Sequence, residues 1–174
     1  MWVWFLVGFL CALALMLVAC YFKFTALHKA VQHTRRKLDG HLQKRRDLVP
    51  TLALTAASLP ELGTAFSYAF GQLPEKCAAA DSLAKYIACE ADLSKALHEL
   101  FAAAAHHAEL QNDSYFRHLH EELVRVENRI QNAKRRYNSA VRDFNTLAAF
   151  FPLNVVAGML DFKPFEYFDF DKSL

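Results

Sequence analysis

Residues 116–152 read FRHLHEELVRVENRIQNAKRRYNSAVRDFNTLAAFFP, and their spacing decides the fold class. Phe116, Leu119, Leu123, Val126, Ile130, Ala133, Tyr137, Ala140, Phe144, Leu147 and Phe151 step by three and four without a break. Such steps put all of them on one face of a helix. At 1.5 Å per residue the stripe runs for about 53 Å. Pro152 should end it, because proline has no N–H to donate and its ring blocks the preceding turn. Glu122, Glu127, Arg129, Arg136 and Asp143 flank the seam. A seam this regular predicts packing along its whole length, as the core of an antiparallel helical bundle or, alternatively, a homo-oligomeric coiled coil.

The segments on either side are also helical in character. Five glycines and five prolines are too few for a strand-and-turn fold, which needs turn residues at short intervals. "AELQND" (108–113) reads as a turn, with Asp113 or Ser114 as the following N-cap. Residues 75–107 are alanine-rich and read as a helix, with Leu83, Ile87, Leu93, Leu97, Leu100 and Phe101 apolar. Pro60, Gly63, Gly71 and Pro74 mark looser ground before it. Residues 24–49 form a basic helix whose apolar positions are Phe24, Leu27, Val31, Leu38, Leu42 and Val49. Pro50 is expected to kink or interrupt that helix. Beyond Pro152, Phe162, Phe165, Tyr167, Phe168 and Phe170 alternate with Lys163, Glu166, Asp169 and Asp171. This tail is too short to fold alone, so it is expected to pack on the bundle or to offer a partner surface.

Residues 1–22 carry no charge and as a helix span about 33 Å, enough for a bilayer core of roughly 30 Å. Trp2 and Trp4 at one end, and Tyr21, Phe22 and Lys23 at the other, are the expected interfacial anchors. Leu17-Val18-Ala19-Cys20 has the look of a lipoprotein cleavage site, but the basic region that should precede one is missing. An uncleaved single-pass anchor is therefore the expectation. Residues 23–46 hold eight Lys/Arg against one acid, whereas residues 47–174 hold twelve against seventeen. Positive residues resist translocation, which predicts the N-terminus outside and the body in the cytoplasm. Arg35, Arg36 and Lys37 are candidate contacts for anionic lipid head groups. No aromatics interleave with the basic residues, so nucleic acid is not the expected partner.

Reactive constellations are not found in the sequence. It has no glycine-rich phosphate loop, no HExxH and no GxSxG. His106 and His107 are adjacent and His118 and His120 are two apart, so neither pair has the helical spacing of a metal site. Glu121 and Glu122 diverge on a helix for the same reason. Cys11, Cys20, Cys77 and Cys89 suggest neither a disulfide framework nor a metal site, and in a cytoplasmic body the last two would stay reduced. Asn138 and Asn145 lie on one stripe beside the seam and are expected to hydrogen-bond a neighbouring helix near Arg46 or Asp47 or, alternatively, to contact a ligand or partner.

The blocks "LQKRRDLVP" (42–50), "ENRIQNAKRRYNSAVRDFN" (127–145), "FP" (151–152) and "FKPFEYF" (162–168) resemble the LemA family of bacterial membrane proteins. The matching positions include Arg45, Asp47, Pro50, Glu127, Asn128, Arg129, Tyr137, Asn138, Asn145, Tyr167 and Phe168. Phe22, Arg35, Thr51, Leu54 and Ala108 depart from the family pattern. The resemblance implies a membrane helix followed by an elongated all-α bundle of about four helices, and it supplies no catalytic residues. The expected organisation is an anchor (1–22), a basic juxtamembrane helix (23–50), a bundle body (51–151) and an aromatic tail (152–174). The expected function is a membrane-anchored scaffold or adaptor without enzymatic activity or cofactor. It would contact lipids and other membrane or cytoplasmic proteins, and could self-associate. The alternative is an anionic-lipid-binding, membrane-remodelling or envelope-stress component, or an acylated lipoprotein with its bundle outside the cytoplasm.

Overall fold

The computed structural model describes residues 2–56, 70–150, 154, 157–158 and 162–169. The chain is all-α, with no strand among the described residues. Its elements are α1 (Trp2–Ala56), α2 (which includes residues 70–78), α3 (Leu83–Ala104), α4 (Ala108–Asn112) and α5 (Ser114–Ala149). They divide into two compact units: Met1–Lys37 with Arg135–Tyr167, here unit 1, and Leu38–Lys134 with Phe168–Leu174, here unit 2. Helix α1 gives its N-terminal part to unit 1 and α5 gives its C-terminal part.

The core of unit 1 is aromatic. Phe24, fully buried, stacks on Phe162 at 5.5 Å and meets Phe144 edge-on at 5.8 Å. Val31, Tyr137 and Val141 are buried in the same unit. The larger aliphatic core belongs to unit 2. There Val49, Leu52 and Ala56 of α1 join Phe70 of α2, Leu93, Leu97 and Leu100 of α3, and Phe116, Leu119 and Leu123 of α5. Those of α3 and α5, with Val49, lie on the apolar stripes predicted for their helices, because burying one face against neighbours is what stabilises helices of this kind.

Several expectations are corrected. Pro50 does not interrupt α1, which runs through it to Ala56. Pro50 is exposed, while Val49 and Leu52 on either side of it are buried and hold the helix by packing. Gly71 and Pro74 lie within α2 rather than in loose chain. The helix expected over 75–107 is broken at residues 79–82, and α3 restarts at Ser82, whose hydroxyl accepts from the Lys85 N–H. The turn expected at 108–113 is the short helix α4. Asp113 is the N-cap of α5, its carboxylate accepting from the N–H groups of Tyr115 and Phe116.

Cys77 and Cys89 are joined in a disulfide, with Cα atoms 5.3 Å apart, against the expectation that they stay reduced. The spacing of the two residues gave no sign of this. Only the return of α3 alongside α2 brings them together. Pro60, Gly63, Phe151, Pro152, Phe170 and Asp171 lie outside the described residues; α5 ends at Ala149.

Candidate functional site

The most strongly built polar site lies in unit 2, around two consecutive arginines on α1. Residues 38, 42, 45, 49, 52 and 56 step by four and three, so Arg45 occupies a core position between Leu42 and Val49. It is fully buried. A guanidinium there needs counter-charges and acceptors, since an unpaired buried charge is costly. Glu90 of α3, also fully buried, supplies one carboxylate, and Glu127 of α5 supplies a second at 2.9 Å. The Ser94 hydroxyl and the Glu90 carbonyl, the latter at 3.1 Å, accept from the same guanidinium.

Arg46 completes the cluster. It donates to the other oxygen of Glu90, to the Tyr86 hydroxyl at 3.1 Å and to the Gln43 side-chain oxygen at 2.7 Å. Its guanidinium carbon also lies 5.7 Å from the centre of the Tyr86 ring. Burial pulls the Arg46 pKa down, but the Tyr86 hydrogen bond and the Glu90 charge outweigh it, and the net direction is up. Burial is the first cause pushing the Tyr86 phenol above its ordinary value. Two guanidiniums and two carboxylates thus neutralise one another. Both Glu90 oxygens and both Glu127 oxygens accept hydrogen bonds, the second Glu127 oxygen from Gln131 at 3.0 Å. Carboxylates occupied in this way fasten α1 to α3 and α5.

Beside this cluster α3 and α5 leave a groove of about 340 Å³, lined in part by Leu97, His98, Phe101, His120, Val124 and Asn128. The Phe101 and His120 rings stack across it at 4.1 Å. The size is at the lower end for small-molecule sites. Among the described residues no cluster of three His, Cys, Asp or Glu side chains could hold a metal ion.

A second construction, in unit 1, fixes the aromatic tail. Asn145 reads the backbone of Phe165 twice: its amide donates to the Phe165 carbonyl at 2.8 Å and its oxygen accepts the Phe165 N–H at 2.9 Å. The Tyr137 hydroxyl donates to the Glu166 carbonyl at 2.9 Å. An extended segment has no internal hydrogen bonds, and these side chains supply partners for it. Asn145 therefore serves the tail, not the α1 residues near Arg46 and Asp47 that were expected. In unit 2, Phe168 is buried and meets the Tyr86 ring edge-on at 6.2 Å.

The other predicted residues are more scattered. Asp47 is exposed and accepts from Gln43, which links it to Arg46. Pro50, Asn128, Arg129 and Tyr167 are exposed, and Asn138 is half-buried. Trp2, Trp4, Tyr21, Phe22 and Lys23 are exposed along α1. Arg35, Arg36 and Lys37 are exposed too. On a helix along the membrane normal Arg35 would stand about 20 Å beyond Phe22, about twice the screening length in physiological salt. Head-group contact from these three would require such a helix to tilt.

Sequence reasoning missed Glu90, Ser94 and Tyr86. A signal for Glu90 was present, because it follows Ile87 by three and precedes Leu93 by three, in a core register.

A long helix with an exposed apolar beginning, pinned by buried charges to two further helices, defines an all-α protein with a candidate membrane span. The chain belongs to the LemA family, whose model matches residues 34–174. No curated protein matches it.

Proposed function

We propose that this protein is a single-pass, membrane-anchored helical scaffold that recruits or organises other proteins at a bacterial membrane, without catalysing a reaction itself. The observation that carries the reading is the continuity of α1. One helix holds both the exposed apolar segment, from Trp2 to Phe22, and the residues that Glu90 and Glu127 grip in the body. An apolar face of that extent is unstable in water and suited to lipid. The carboxylates of the buried cluster are all engaged, which favours a holding role over a chemical one. Partners are lipids through the anchor and proteins through the body, with self-association as a further mode.

The test is crosslinking in intact cells followed by capture of the full-length chain from the membrane fraction. Recovery of a reproducible set of proteins, lost when the anchor is deleted, is the expected result. Recovery of the chain alone, together with clustering of anionic vesicles by the purified protein, would favour the lipid-acting alternative.

For orientation, the eight basic residues over 23–46 favour a cytoplasmic body. One observation favours the opposite side: a disulfide such as Cys77–Cys89 belongs to an oxidising compartment. Reporters fused after Leu174 distinguish the two. An external reporter would make the body exported and revive acylation at Cys20.

A further inference from the structure

We propose that the end of α5 makes a second membrane contact, with Phe150 seated in the lipid interface beside the anchor. The inference rests on the anchor reading above and adds a lipid-facing residue some 130 positions away from it. Within unit 1 the tail passes from Phe24 to His28 of α1 while it passes from Phe144 to Tyr137 of α5, so α5 runs toward the apolar end of α1. Phe144 sets the level: its ring meets Phe24, two residues past Phe22, at 5.8 Å. Phe150 follows six residues later, which at 1.5 Å per residue is about 9 Å nearer the bilayer, roughly level with Val18.

A residue at that depth should be apolar, exposed and without charged neighbours along the chain. Phe150 is 63% exposed, a large apolar ring left uncovered by protein. No charged residue falls between Asp143 and Asp161. The tail comes back to the same level, since Phe162 stacks on Phe24 at 5.5 Å. Phe144 and Phe162 thus both meet α1 at Phe24, and of the residues between them in sequence only Asp161, next to Phe162, is charged. Cys20 supplies a further sign. It is partly covered, whereas residues 2–19 are exposed, so side-chain packing reaches into the end of the apolar segment. Aromatic rings are favoured at the head-group boundary.

The test uses the full-length chain in phosphatidylcholine–phosphatidylglycerol vesicles with and without brominated acyl chains, which quench tryptophan at bilayer depth. Trp2 and Trp4, the two native tryptophans, report on the anchor. With both replaced by Phe, Phe150→Trp becomes the sole reporter, and Ala149→Trp is a second one on the same exposed end. About twofold loss of emission on bromination is expected for Phe150→Trp, as suits an indole at the interface, while Leu54→Trp, exposed in unit 2, is unaffected. Quenching of Trp2 and Trp4 with none at positions 149 and 150 would overturn the inference and leave the anchor standing. No quenching at any of the four would remove the anchor reading and this inference with it.

Discussion

Arg45 shows how a single residue can specify three-helix geometry. It sits in the core register of α1 with no exposed surface, held by Glu90, Glu127 and Ser94. Arg45→Met should cost about 3–5 kcal/mol, because it leaves Glu90 buried with only Arg46 opposite. Urea unfolding followed by circular dichroism measures this, and a combined apolar replacement of Arg45, Arg46 and Glu90 should recover most of the loss. Tyr86 adds a pH dependence. Its folded pKa is raised above the ordinary value of about 10. The neutral phenol is thus favoured by folding, and the contribution is present below about pH 10 and lost as pH rises through the folded pKa. Thermal midpoints of the native chain and Tyr86→Phe, compared from pH 8 to 11, should converge as the solution becomes alkaline. That Arg45 needs a counter-charge is legible in its spacing among Leu38, Leu42, Val49 and Leu52. Which acid provides it is not, since Glu90 lies 45 residues away and meets Arg45 only after folding.

At the scale of elements, the seam of α5 was legible nearly to its end. Phe116, Leu119, Leu123, Val126, Ile130, Ala133, Tyr137 and Phe144 are buried, but Val141 is buried where Ala140 was expected. A straight helix drifts about 20° per heptad against a strict 3.5-residue repeat, so the buried face slides by one position over several heptads. Pro50 misled because a proline's penalty is local, whereas the burial of Val49 and Leu52 keeps α1 helical through it. Pro50→Ala should therefore stabilise the chain by about 1–2 kcal/mol, read as a higher urea midpoint, part of the helix-interior penalty being offset by the looser unfolded chain. Asp113→Ala removes the cap from α5 and should cost about 0.5–2 kcal/mol in the same assay.

For the whole molecule, the Cys77–Cys89 bond constrains a loop of sequence separation 12, for which the chain-entropy estimate is about 3 kcal/mol. Urea midpoints with and without a phosphine reductant should differ accordingly, and unchanged midpoints would mean that α2 is held by packing alone. The sequence by itself determined what depends on near neighbours: the helices, the apolar N-terminal segment, the basic stretch after it, the seam of α5 and the family. Periodicity and charge along a helix are local properties, and the chain carries them before it folds. Tertiary structure alone decided which distant groups meet: Glu90 with Arg45 and Arg46, Asn145 with the Phe165 backbone, Cys77 with Cys89, and Phe144 with Phe24. Buried charges and backbone groups must find partners, and only packing determines which ones come within reach.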